Sequence, residues 1–211
     1  MYSTSEEMQK TAASLVVFGA EVFKRAKTIQ HLELLKQLSN DLDEKRTSPN
    51  NPFLMEFIFE YLVDSVRIII FFENYMKAEL IANEICVFQI NKSTQGFEDL
   101  AKEQKRRPIT MREVHSISPF ETNEKDKTVY HRAIKETTLG FSNLVGSKYR
   151  VFYRFDKEML DFVTELNKKR NHLHLYDSID FSLSRDVISK TENVNNFVDE
   201  MIQMVAPKVN D

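Results

Sequence analysis

The chain has 211 residues, with 29 Lys and Arg against 32 Asp and Glu and a formal net charge of −3. That length supports one well-buried core and is short for two domains, and the acidic balance excludes a protein that grips nucleic acid with its whole surface. Four Gly, five Pro and a single cysteine, Cys86, exclude a turn-rich sheet protein and a disulfide scaffold. The expected fold is therefore all-α, mostly long helices in a single domain over residues 1–211, in a reducing cytoplasm.

Residues 1–7 read as a helix cap followed by first-turn acids rather than as the basic start of an export signal. The spacing of Leu15, Val16, Phe18, Val22 and Phe23 predicts an amphipathic helix over 6–27, and a second is expected over 31–45. Pro49, Asn50, Asn51 and Pro52 mark a loop over 47–52. A long apolar helix follows over 53–84. Its most apolar part, 57–72, is interrupted by Glu60, Asp64 and Arg67, which argues against a membrane span and for a buried central helix. Residues 91–128 turn polar and read as an insertion with one short helix over 97–106 and breaks at Pro108 and Pro119. Residues 129–139 are expected to be helical, and 149–155 fit strand or helix. Asp156 is placed to cap a helix through Phe162, Val163 and Leu166, and a final helix is expected over 186–205.

Chemically capable side chains concentrate where the Asp156 helix ends, in residues 168–176: Lys168, Lys169, Arg170, Asn171, His172, Leu173, His174, Leu175 and Tyr176. On a helix, Arg170 and His174 are four apart and share a face, with Asn171 beside them. A permanent cation, an amide and a group that titrates near neutrality can together address one phosphodiester. In RNA cleavage, His174 would serve as general base toward a ribose 2′-hydroxyl or as general acid toward the leaving oxygen. Arg170 would stabilise charge developing on phosphorus, and Asn171 would orient the phosphate or the imidazole. This chemistry needs no metal, and no metal or cofactor motif is evident. His172 lies two positions from His174 and faces elsewhere on a helix, so it ranks as supporting, with Lys169. The same cations also complement the negative end of a helix macrodipole, a structural role that needs no ligand. The basic run 102–107 reads first as a solvated helix face, with an RNA-contacting patch as the alternative, and 148–154 is a further local basic patch; His115 and His131 have no companion ligand nearby in sequence. No Gly-rich phosphate loop, Gly-x-Ser-x-Gly elbow or His-Glu-x-x-His is present, and Cys86 sits in an apolar setting that disfavours a thiolate.

The Arg170, Asn171, His174 string on a late helix resembles the signature of the HEPN family (higher eukaryotes and prokaryotes nucleotide-binding). The resemblance spans residues 53–205 and implies a small helical bundle acting as a metal-independent endoribonuclease. It also implies RNA as substrate, a homodimer in which two motifs share a cleft, and a toxin–antitoxin, stress or antiphage setting. Arg170 and His174 enclose three residues, fewer than is usual in the family, and a start at Lys169 gives four with Lys in place of Arg. His174-Leu175-Tyr176 is similar to the His-x-Tyr extension of HEPN toxins paired with a nucleotidyltransferase antitoxin, which makes Tyr176 a candidate modification site. Residues 73–80 are similar to a Glu…Lys-Ala…Leu pattern on an early core helix of many members, which adds Glu73 as a supporting residue. Glu73 and Lys77 also have the spacing of an ordinary helix ion pair. The competing reading is a catalytically inactive HEPN-like module that binds a nucleotide, RNA or protein partner.

Overall fold

The computed structural model describes residues 5–44, 52–92, 96–117, 121–122, 125, 129–172 and 185–209. These are mostly helical, as the composition predicts. In chain order they form α1 (Ser5–Lys24), α2 (Lys27–Gln30), α3 (Leu32–Asp43), α4 (Pro52–Ala82), β1 (Phe88–Ile90), α5 (Glu98–Arg106), α6 (Met111–Ile117), β2 (Glu121–Thr122), β3 (Val129–Tyr130), β4 (Ile134–Thr138), α7 (Phe141–Leu144), a 3₁₀ turn (Ser147–Phe152), α8 (Lys157–His172) and α9 (Arg185–Val209). Among the described residues no helix is long and apolar enough to cross a membrane. Of the expected loop over 47–52, only Pro52 is described, and it opens α4, where its missing N–H costs nothing.

The chain divides into two compact units, one of Met1–Leu15 with Tyr75–Arg154 and one of Val16–Asn74 with Phe155–Asp211. In the second unit the described residues form helices and no strand. Its core is an aromatic cluster in which Phe72 stacks on Phe197 at 5.9 Å, while Phe71 and Phe155 meet Phe197 edge-on at 6.3 and 6.0 Å. Phe23 on α1 joins it through Phe71. Gly19 lets α1 approach closely here, because a Cβ at this position would lie 3.2 Å from Phe71 Cα.

The first unit mixes helices with two short antiparallel pairs, β1 with β4 and β2 with β3. Residues 129–139 are therefore corrected from helix to strand and turn. Val129, Tyr130, Ile134, Thr137 and Thr138 are β-branched or aromatic, and β1 supplies β4 with a pairing partner that lies far away in sequence. The 149–155 segment is neither strand nor α-helix but mostly the 3₁₀ turn. α4 ends in a Schellman motif, with Ile85 N–H donating to Leu80 O at 2.8 Å and Glu84 N–H to Ile81 O at 2.9 Å. Glu84 takes the left-handed position at φ 58°, where glycine is usual.

The polar 97–117 stretch holds two helices rather than one. It buries Phe97, Leu100, Ala101, Ile109, Met111 and Val114 in the core of the first unit. The second helix, α6, opens on a capping box: Glu113 N–H donates to Thr110 Oγ1 at 3.2 Å, and the Glu113 carboxylate accepts from Thr110 N–H at 2.8 Å and from its hydroxyl at 2.9 Å. Arg107 also pairs with Glu113 at 2.6 Å. Arg107 first, and Thr110 second, hold the Glu113 carboxyl down at about 2 against an ordinary 4.5. A depressed folded value means stability that is fully present above pH 4.5 and lost as the pH falls toward 2. Glu113→Gln is expected to lower stability at neutral pH and to flatten the acid limb between these values. Urea denaturation at neutral and acid pH checks it; an unchanged acid limb would remove Glu113 from the account.

Cys86 is buried in the same unit, and burial pushes its thiol up to about 11. Near neutral pH the native protein is expected to resist iodoacetamide and to be alkylated fully only after denaturation. Rapid labelling of the folded chain, followed by mass spectrometry, would contradict this.

Candidate functional site

The helix that carries the Arg170 motif begins as predicted. Asp156 Oδ1 accepts from Met159 N–H at 2.8 Å, satisfying an N–H of the first turn that has no partner inside the helix. α8 then runs unbroken to His172. Leu160, Phe162, Val163 and Leu166 form its buried stripe, and it packs against α9, which buries Ile188, Thr191, Val194, Phe197 and Val198. Charge shifts along α8: Glu158 and Asp161 follow Lys157 in its N-terminal half, Glu165 lies near its middle, and Lys168, Lys169 and Arg170 lie toward its C-terminus. Glu158 in the first turn and the basic cluster at the last complement the helix dipole.

Lys169, Arg170, Asn171 and His172 lie on the last turn of α8, so Arg170 and Asn171 occupy the adjacent helical positions that the spacing predicts. Their side chains lie outside the described residues, and His174 and Tyr176 lie outside them altogether. Glu73 is half-buried on α4, followed by buried Tyr75, Met76, Ala78 and Leu80, so the Glu…Lys-Ala…Leu pattern does fall on a core helix.

Asn167 was not singled out by the sequence, although it stands three residues before Arg170 and four before Asn171. That offset puts it on their side of the helix. Its Oδ1 is buried and meets no hydrogen-bond donor among the described residues. Helical spacing from the motif was the signal that could have found it.

Elsewhere, the basic run 102–107 is partly neutralised: Lys102 pairs with Asp99 at 3.0 Å, and Arg107 with Glu103 at 3.0 Å. His115 and His131, without companions in the sequence, come together in the fold with ring centroids 5.6 Å apart. His131 is buried, and its Nδ1 accepts from Ala133 N–H at 3.1 Å. Among the described residues no group of three His, Cys, Asp or Glu is arranged to hold a metal ion. Compared with protein-family models, curated proteins and solved structures, the chain matches none.

Proposed function

We propose that the chain is a metal-independent endoribonuclease of HEPN type, with Arg170, Asn171 and His174 as its catalytic residues. The observation that carries the reading is the unbroken course of α8 to His172, which sets Arg170 and Asn171 on one turn at the basic end of a capped helix. A phosphodiester is attracted to that end by Lys168, Lys169 and Arg170 together. In the reaction the substrate's own 2′-hydroxyl attacks phosphorus, the P–O5′ bond breaks, and a 2′,3′-cyclic phosphate and a 5′-hydroxyl result. His174 takes the hydroxyl proton or returns one to the leaving oxygen, and Arg170 meets the charge on the phosphorane.

The reading includes a homodimer that brings two motifs to one cleft, a cytoplasmic toxin, stress or antiphage setting, and silencing of the nuclease through Tyr176 by a nucleotidyltransferase partner. A free, buried Cys86 is consistent with a reducing compartment. The test incubates wild type, His174→Ala and Arg170→Ala with structured and single-stranded RNA in EDTA, after circular dichroism has shown all three to be folded. Cyclic phosphate ends that both variants fail to make support the nuclease. Equal behaviour of all three across a broad RNA panel overturns it in favour of a HEPN-like binding module.

A further inference from the structure

The first unit contains a cavity of about 290 Å³ whose wall carries four lysines, Lys92, Lys105, Lys135 and Lys148, and no carboxylate. They come from four places: just after β1, α5, β4 and the 3₁₀ turn. In a chain with more acids than bases, such one-signed clustering needs a reason. Several other cations of this unit have anions beside them, Lys102 with Asp99, Arg107 with Glu103 and Glu113, and Arg132 with Glu121. None of the four cavity lysines has a carboxylate partner among the described residues.

Lys148 is half-buried and donates one of its three N–H groups to the backbone carbonyl of Gln104, and its ammonium stands 4.9 Å from the Tyr149 ring centroid. Burial holds it below the usual lysine range. The wall beside it is tied together by hydrogen bonds. Gln104 ties α5 to β1, its amide donating to Phe88 O at 2.7 Å and accepting from Ile90 N–H at 3.0 Å.

We propose that this cavity binds a compact polyphosphorylated small molecule. Four cations around one concavity focus a positive field on an anion of several charges, and ammonium groups are ordinary phosphate donors. The volume lies just under the range of about 300–1,000 Å³ typical of small-ligand sites. Ile90 and Leu139 add an apolar strip, and the Gln89 and Asn143 amides flank it. The proposal does not rest on the nuclease reading.

The test titrates the whole chain calorimetrically with ATP, inorganic tripolyphosphate and adenosine. Saturable binding of both phosphate compounds, none of adenosine, and a weakening that deepens with salt are expected. Lys105→Glu with Lys135→Glu, two exposed positions, is expected to weaken binding at least about tenfold. Lys102→Glu, outside the cavity, binds as wild type does. ATP binding more tightly than tripolyphosphate supports the proposal and assigns the apolar strip to a base; equal affinities support it for the phosphates alone. No saturable binding overturns it, as does ATP binding that the folded double variant retains. Lysine-dependent binding of a single-stranded oligonucleotide that neither phosphate compound displaces also overturns it and makes the cavity part of a nucleic-acid surface.

Discussion

Alanine at His174 is expected to slow RNA cleavage by about 10²–10⁴-fold, the range that a positioned acid–base group contributes. Removing Arg170 is expected to cost about 10²–10³-fold, because an oriented donor to the developing negative charge is lost. Arg170→Lys restores only part of this, since a compact ammonium keeps the charge but not the planar fork. The neighbouring Lys169→Ala separates the two registers open to the motif. If Arg170 is the catalytic cation, Lys169→Ala slows cleavage far less than Arg170→Ala does. The reverse order would move the catalytic cation one position back. Initial rates on a single RNA, with cyclic phosphate ends quantified, decide the matter. Folded His174→Ala that cleaves at the wild-type rate would sink the assignment.

Asp64→Ala is expected to destabilise the second unit by about 2–4 kcal/mol, the cost of leaving the two buried donors of Thr28 without an acceptor. Asp64 is fully buried on α4. Its Oδ2 accepts both the backbone N–H and the hydroxyl of Thr28 at 2.8 Å, and its Oδ1 accepts from the Arg67 guanidinium. Ala26, at the N-cap of α2, makes no side-chain cap bond, so Asp64 caps that helix from a neighbouring one. Truncation strands both Thr28 donors at once, while the partly exposed Arg67 guanidinium can turn to water. Thr28→Val, which keeps the shape and the backbone bond, is expected to cost only about 1 kcal/mol. The double variant should lose less than the sum, because both substitutions remove the same hydroxyl bond. Urea midpoints of the three variants measure this; a loss below about 1 kcal/mol for Asp64→Ala would mean that water replaces the network.

Helix limits that depend on local chemistry were legible in advance. The bond from Asp156 to Met159 begins α8 where the residue type said it would, and apolar spacing found α1, α3, α4 and α9 to within a few residues. α6 was missed although its Thr110-x-x-Glu113 box stood in the sequence, because Pro108 beside it reads as a breaker. The strands of 129–138 were missed for a different reason. An isolated segment with Lys135 and Glu136 between β-branched residues has no fixed preference, and β4 exists because β1 is there to pair with it.

By itself the sequence determined the helical class and put Arg170 and Asn171 on one turn of a capped helix, since helical periodicity and capping are contacts between residues a few positions apart. Asp64 looked in sequence like an interruption of an apolar run, and only the tertiary structure showed it as an acceptor for Thr28, 36 positions away. Only the tertiary structure, too, gathered Lys92, Lys105, Lys135 and Lys148 around one cavity. Strand pairing, buried charge and convergent cations depend on neighbours brought together by burial, and no local spacing encodes them.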